Sequence, residues 1–205
     1  VNTYDDSIII LASKSPRRTE LLSQIGANHL VIDVSVDEII NPMMDAKENA
    51  ELLSVQKCQE GIKHIMVNQM DELPVLAADT MVVMGEKIFG KPESEEHAIE
   101  MLLELSDKVH TVITGVTIGI ISGDKAEFHS ITVDSQVEFS NLSRLECKKY
   151  CASKEPFDKA GAYGIQGYGS AFVKEIKGSY SNIVGLPIHE VAELFKKLNI
   201  PFWLN

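Results

Sequence analysis

The sequence predicts an α/β protein in which strands and helices alternate along a chain of 205 residues. Continuous apolar runs rich in β-branched residues, such as residues 8–12 and 109–121, are typical of buried strands. Between such runs, apolar residues return at helical spacing. The length and the hydrophobic content of 44% suit a single domain over residues 1–205, although a second domain is also possible.

The first strand, at residues 8–12, runs directly into a serine-rich turn and a helix. Ser15 is a favourable N-cap, and Pro16 suits the first helical position, where its missing N–H costs nothing. Gly26 is expected to end this helix. The segment therefore predicts a strand, a short turn and a helix N-terminus in close succession.

Two arginines, Arg17 and Arg18, lie in the first turn of this helix. The free N–H groups and the dipole of a helix N-terminus attract anions, and guanidinium groups bind phosphate through paired hydrogen bonds. We interpret the turn as a candidate phosphate site. The alternative is an ordinary solvated helix start.

A second strand, at residues 30–36, is followed by the acidic pair Asp37 and Glu38. Paired carboxylates at a strand end can bind Mg²⁺, but taken alone the pair is better explained as solvated. After a loop, a long helix is predicted over residues 46–67. Lys57 lies on this helix and need not share its apolar face.

Residues 74–92 form the stretch around which the chemistry is predicted. Two apolar runs flank Asp79 and Thr80, and the Gly-Glu pair at 85–86 has the glycine-first pattern of a II′ hairpin loop. A carboxylate at the end of a buried strand is costly without a partner such as a metal ion, an arginine or a reacting water. With Lys91 on the returning arm, the hairpin suits an anionic substrate. A solvated aspartate and a surface lysine are the alternative.

The remaining elements continue the alternation of strands and helices. We predict a helix from Ser94 to about residue 106, strands at 109–121 and 128–139 joined by a turn at 122–124, a helix from Ser143 to about residue 152, a strand at 171–176, an extended piece at 182–184, and a last helix after Pro187. Gly115 and Gly119 in the long strand are interpreted as possible bulges. Ser143 and Glu146 have the spacing of a capping box.

A glycine-rich segment occupies residues 158–169, with four glycines within nine residues. This density indicates tight backbone turns or the close approach of a ligand. Gln166 lies among the glycines, and its amide offers a donor and an acceptor for the edge of a base. From spacing alone, an ordinary amide in a β-turn is the better supported interpretation.

Composition argues against several classes of protein. The net charge of −11 argues against a nucleic-acid polymer as partner, and no segment has the apolar length of a membrane span. Cys58, Cys147 and Cys151 lack a metal-binding spacing and are interpreted as thiols in a reducing cytoplasm. The six histidines are scattered and are interpreted as structural or exposed rather than catalytic.

Several motifs together resemble the Maf family, over about residues 8–198. The motifs are Leu11 to Arg18, Ala78-Asp79-Thr80, Gly90-Lys91-Pro92, Asp158 to Gly167, Gly178-Ser179-Tyr180 and Gly185-Leu186-Pro187. The resemblance implies a two-lobed α/β fold similar to inosine triphosphate pyrophosphatases, with an elongated mixed sheet flanked by helices. It also implies a central cleft for the nucleotide, and homodimers.

The reaction implied by the resemblance is hydrolysis of nucleoside triphosphates to the monophosphate and pyrophosphate, with Mg²⁺ or Mn²⁺ as the divalent metal. Asp79 resembles the acceptor of the water proton, and Glu38 a further acid that lines the site and shares the metal with Asp79. The resemblance assigns the other substrate-binding positions in two sets: Arg17, Thr80 and Gln166 to substrate choice, and Ser13, Arg18, Lys57 and Lys91 to the triphosphate.

The segment 164–167, Gly-Ile-Gln-Gly, together with Thr80 resembles the branch that acts on dTTP and UTP. Modified pyrimidine nucleotides are further candidate substrates of such a house-cleaning enzyme. Two alternatives stay open: a nucleotide-binding regulator of cell division or septum formation with incidental hydrolysis, and a pyrophosphatase that prefers another nucleotide. One departure from the family pattern is Asp107, where glycine is common. It concerns the turn after a helix.

Overall fold

The computed structural model describes residues 7–123 and 125–203, so Asp124 of the expected turn lies outside the described residues. The strands within them are β1 (Ile9–Ala12), β2 (His29–Ile32), β3 (Val75–Met84), β4 (Lys87–Phe89), β5 (Val109–Ser122), β6 (Lys125–Phe139) and β7 (Val173–Lys177). The helices are α1 (Pro16–Gln24), α2 (Ala46–Asn68), α3 (Glu95–Leu105), α4 (Arg144–Cys151), α5 (Tyr180–Val184) and α6 (Ile188–Lys197). None of the helices in these ranges is long and apolar enough to cross a membrane.

These strands form a seven-stranded mixed sheet in the order β2-β1-β3-β5-β6-β7, with β4 paired to β3. β1 runs parallel to β2 and to β3, whereas β4 is antiparallel to β3 and β7 is antiparallel to β6. The predicted α/β class, with a mixed sheet flanked by helices, is confirmed. Gly85 has a φ of 61°, as the first loop residue of the predicted II′ hairpin requires.

The chain divides into two compact units. The first contains, of the described residues, those up to Asp79, those of 114–133 and those from Gly185 onward. The second contains residues 80–113 and 134–184. A single domain, expected from the length, stays a prediction.

In the first unit, α2 lies close to the sheet because β5 presents glycines to it. A Cβ at Gly115 would lie 2.3 Å from the backbone oxygen of Ala50, and a Cβ at Gly119 would lie 2.9 Å from Cys58 Sγ. The sequence pattern suggests bulges at both glycines, and the structure shows a helix against each of them. The apolar core beneath α2 contains Ile10, Ala12, Ile32, Cys58, Ile62, Ile65, Val75 and Ala77.

In the second unit, a cluster of rings fills part of the core. His110, Phe139 and Tyr163 meet edge to face, with ring centroids 4.7 to 5.4 Å apart. His110 is buried, its Nε2 lies 2.8 Å from the Tyr163 hydroxyl, and burial lowers its pKa to about 4. This histidine is therefore neutral near pH 7, as a structural role requires.

The strand predicted at residues 30–36 is shorter than expected, because β2 ends at Ile32. The extended piece predicted at residues 182–184 was wrong, because these residues belong to α5. The β-branched pair Ile183 and Val184 suggested a strand. The N–H of Asn182 donates to Ser179 Oγ at 3.3 Å, and the N–H of Ile183 donates to the Ser179 carbonyl at 3.3 Å. Ser179 thus caps a single helical turn, and local capping outweighs β propensity.

Two other local predictions have clear outcomes. Ser143 and Glu146 form the predicted capping box at the start of α4. Asp107 has a φ of 54°, in the left-handed region that favours glycine and that aspartate tolerates better than most residues. Its N–H donates to the Ser140 carbonyl at 3.1 Å, so the turn after α3 forms with aspartate in place of glycine.

Candidate active site

The turn between β1 and α1 is ordered by Ser13, which is 6% exposed. Its Oγ accepts hydrogen bonds from the Ser15 N–H at 3.2 Å and from Arg18 Nη1 at 3.1 Å. Ser15 occupies the predicted N-cap position, but its side chain makes no capping hydrogen bond. The hydroxyl that shapes this turn therefore belongs to Ser13.

Arg18 is buried at this turn, and its Nε donates to the Gly185 carbonyl at 2.8 Å. Burial lowers the pKa of Arg18, the charge of Asp79 opposes this shift, and Arg17 adds to it. Glu38 also raises the pKa of Arg18, more weakly. Asp79, Arg17 and Glu38 therefore each lie within electrostatic reach of Arg18 in the first unit.

The acids are joined by Lys57, whose Nζ donates to Asp79 Oδ1 at 2.6 Å and to Glu38 Oε1 at 2.6 Å. The Asp79 side chain is 11% exposed, the Lys57 side chain 14%, and the Glu38 side chain 47%. A single ammonium group thus sits between two carboxylates, one almost buried and one open to solvent.

Parallel pairing of β1 with β3 explains why the turn and the acid meet. Leu11 stands opposite Leu76, so Ser13 at the end of β1 and Asp79 further along β3 belong to the same region of the first unit. The edge beyond the carboxyl ends of parallel strands is a common ligand-binding position in α/β folds. The structure therefore brings together Ser13, Arg17, Arg18, Glu38, Lys57 and Asp79.

The other three predicted site residues lie in the second unit. Thr80 is half-buried, whereas Lys91 and Gln166 are exposed. The N–H of Gly161 donates to the Gly90 carbonyl at 3.1 Å. This hydrogen bond ties the loop that carries Lys91 to the start of the glycine-rich segment that carries Gln166.

Close contacts within the protein itself explain the glycines near Gln166. A Cβ at Gly164 would lie 2.7 Å from Lys159 Cε, and a Cβ at Gly167 would lie 2.2 Å from Glu155 Oε2. A Cβ at Gly169 would lie 2.8 Å from the Gly164 carbonyl oxygen. Sequence reasoning allowed for close approach by a ligand, but it missed Glu155, as it missed the carbonyl of Gly185 that binds Arg18. Glycine spacing signals a close contact without identifying the residue that makes it.

A divalent cation fits the donors at the acid pair. Within residues 7–123 and 125–203, no three His, Cys, Asp or Glu side chains are grouped to hold a metal. Glu38 and Asp79 nevertheless supply two carboxylate oxygens around one positive atom, Lys57 Nζ. Mg²⁺ commonly uses one or two carboxylates, with phosphate and water oxygens as its other ligands.

The chain belongs to the Maf-like protein family, whose model matches residues 8–198. Three relatives are each named dTTP/UTP pyrophosphatase. That of Pseudoalteromonas atlantica is 43% identical over 94% of this chain and 98% of its own length. That of Chromobacterium violaceum is 43% identical over 93% of this chain and 94% of its own length. That of Caldicellulosiruptor saccharolyticus is 41% identical, again over 93% of this chain and 94% of its own length. The family resemblance is thereby confirmed.

Proposed function

We propose that this chain is a hydrolase that cleaves dTTP and UTP to the nucleoside monophosphate and pyrophosphate. The observation that carries the proposal is the bridge from Lys57 to Asp79 and Glu38, formed beside the buried Arg18. Such a site pairs a reactive acid with cations suited to a polyanion. The names of the relatives support the substrate class.

In this mechanism, water attacks the α-phosphorus of the triphosphate. Asp79 orients the water and accepts its proton through a carboxylate oxygen. The bond from the α-phosphorus to the bridging oxygen breaks, and that oxygen leaves with pyrophosphate. Positioning and electrostatic stabilisation supply most of the acceleration in phosphoryl transfer.

Glu38 and Asp79 would hold a divalent metal, Mg²⁺ or Mn²⁺, which when bound neutralises phosphate charge and polarises the α-phosphoryl group. Lys57 offsets part of the negative charge of the two acids. Its flexible four-carbon stem allows the ammonium group to turn from the carboxylates to a phosphate oxygen.

Ser13 is suited to donate to a phosphate oxygen. Its Oγ already accepts two hydrogen bonds, which use both acceptor positions of a hydroxyl and leave the O–H as the donor. Arg17, Arg18 and Lys91 supply positive charge for the triphosphate. Base choice depends on Arg17, Thr80 and Gln166.

A homodimer and a cytoplasmic location, both expected above, remain part of the proposal. The three cysteines are buried free thiols, which is typical of proteins from reducing compartments. Light scattering on the purified protein measures the oligomeric state directly.

The test of the function is a panel of canonical and modified nucleoside triphosphates with Mg²⁺ or Mn²⁺, in which phosphate and pyrophosphate are detected separately. We expect pyrophosphate from dTTP and UTP, with less from purine nucleotides. Release of single phosphate groups would contradict cleavage between the α and β positions. Nucleotide binding without hydrolysis would favour the regulator, and a different best substrate would favour the other nucleotide preference.

A further inference from the structure

Glu155 binds the glycine-rich segment through both of its carboxylate oxygens. Its Oε2 accepts a hydrogen bond from the Tyr168 N–H at 2.8 Å, and its Oε1 accepts one from the Gly169 N–H at 3.1 Å. Oε1 also accepts the hydroxyl proton of Tyr150 at 2.8 Å. The Tyr150 oxygen in turn accepts from the Gly164 N–H at 3.1 Å.

This network fixes both ends of residues 164–169, which carry Gln166 between them. Gly164 and Gly169 are buried, whereas the Gln166 side chain is exposed. Hydrogen bonds to an ionised carboxylate are about twice as strong as those between neutral groups. A Cβ at Gly167 would lie 2.2 Å from Glu155 Oε2, so a side chain there would displace the carboxylate from its donors. One carboxylate and one phenol therefore define the shape of this loop.

The phenol is itself anchored in the core of the second unit. Tyr150 is 5% exposed, and its ring meets that of Phe172 edge to face with centroids 5.0 Å apart. Burial and the hydrogen bond to Glu155 raise the pKa of Tyr150. Tyr150 therefore stays protonated and keeps donating to Glu155 at physiological pH.

We propose that Glu155 is a positioning residue for base recognition. It holds residues 164–169 in one conformation, so that Gln166 is presented to the base from a fixed backbone. The inference rests on the proposed function, in which Gln166 takes part in substrate choice. The carboxylate oxygens of Glu155 accept hydrogen bonds from three donors of the protein itself. Glu155 therefore acts through the loop rather than on the nucleotide.

The substitution Glu155→Gln tests this role because it keeps the size of the side chain. The amide retains one oxygen and turns an NH₂ group toward a donor. We expect the ratio of kcat/KM for dTTP to that for dGTP to fall by about tenfold or more, chiefly through a higher KM for dTTP. Tyr150→Phe, which removes the hydroxyl and keeps the ring, should lower the same ratio by a smaller factor.

The matched control is Glu104→Gln, since Glu104 is a surface acid of the same unit paired with Lys87. It loses the same charge and should leave the dTTP preference unchanged. Inhibition by inorganic tripolyphosphate, which has no base, should be the same in Glu155→Gln as in the wild type. An unchanged dTTP preference in Glu155→Gln, or equal weakening of dTTP and tripolyphosphate, would overturn the inference.

Amide hydrogen exchange of the peptide covering residues 163–170 gives a second measurement that needs no turnover. Faster exchange in Glu155→Gln supports the anchoring, and unchanged exchange overturns it.

If the wild type hydrolyses no nucleoside triphosphate, the proposed function fails. Calorimetric binding of dTTP and dGTP then replaces the kinetic ratio, and an unchanged binding preference overturns the positioning role.

Discussion

Lys57 carries the ammonium group that bridges the two acids of the candidate site. Asp79 is nearly buried, and a buried carboxylate without a partner is costly. The Lys57 ammonium supplies that partner and simultaneously binds Glu38. An ammonium group and a divalent cation would therefore compete for the same two carboxylates.

Replacing Lys57 with methionine should strengthen metal binding by the nucleotide-free protein. The side chain keeps most of its apolar length, while the competing charge is removed. We expect the Mn²⁺ dissociation constant, measured by electron paramagnetic resonance, to fall by about tenfold, or about 1.4 kcal/mol. Lys63→Met is the control, because Lys63 lies on the same helix and pairs with the surface acid Glu60. Equal Mn²⁺ affinity in Lys57→Met and the wild type would show that Lys57 does not occupy the metal position.

At the residue scale, the sequence predicted Asp79, Arg17 and Arg18 as site residues, but it did not predict their contacts. Asp79 was noted as an acid between two apolar runs and Arg18 as a cation at a helix start, and the family resemblance supplied the role predicted for each. The bridge from Lys57 spans 22 residues of sequence to Asp79, and its geometry depends on how closely a helix approaches a strand. That distance is a property of tertiary packing, which local patterns do not contain.

At the scale of elements, α2 positions Lys57 because it can lie close to β5. Gly115 faces the backbone of Ala50, where even a methyl group would collide with a peptide oxygen. Backbone cannot move aside as the end of a flexible side chain can. The glycine therefore sets the depth at which α2 sits, and with it the reach of the lysine.

Gly115→Ala should destabilise the protein by about 1 to 3 kcal/mol, the usual cost of overpacking. It should also lower kcat, since α2 must shift outward and carry Lys57 with it. Thermal unfolding and steady-state kinetics measure the two effects. For stability, Gly90→Ala is the matched control, because a Cβ there meets nothing within 4 Å. Equal melting temperatures for the two variants would contradict the close approach of α2.

Element types were predicted well where apolar residues repeat at helical spacing over a long segment, as in α2, which the structure shows to begin with a capping box of Asp45 and Glu48. Residues 182–184 are too short to show such a repeat, and they were predicted to be extended. In the structure, the cap from Ser179 forms a helical turn there instead. Short elements are the hardest to assign as helix or strand, because few residues contribute to the pattern.

At the scale of the whole molecule, scarce cations are gathered within an acidic chain. The 19 Lys and Arg residues are outnumbered by 30 acids, so the long-range field opposes an anionic substrate. Salt at 0.1 M screens charges beyond about 10 Å, which leaves the local groups to decide binding. Within the first unit, Lys57 bridges the acid pair, and the charge of Asp79 acts on the buried Arg18.

The central claim is that Asp79 activates water while the cations hold the triphosphate. The most direct measurement compares pyrophosphate release from dTTP by the wild type and by Asp79→Asn, together with dTTP binding by calorimetry. Asp71→Asn, an exposed position in the same unit, serves as control. We predict that turnover by Asp79→Asn falls by about a hundredfold or more, while its dissociation constant for dTTP changes by less than about tenfold. Turnover by Asp79→Asn close to that of the wild type would contradict the account.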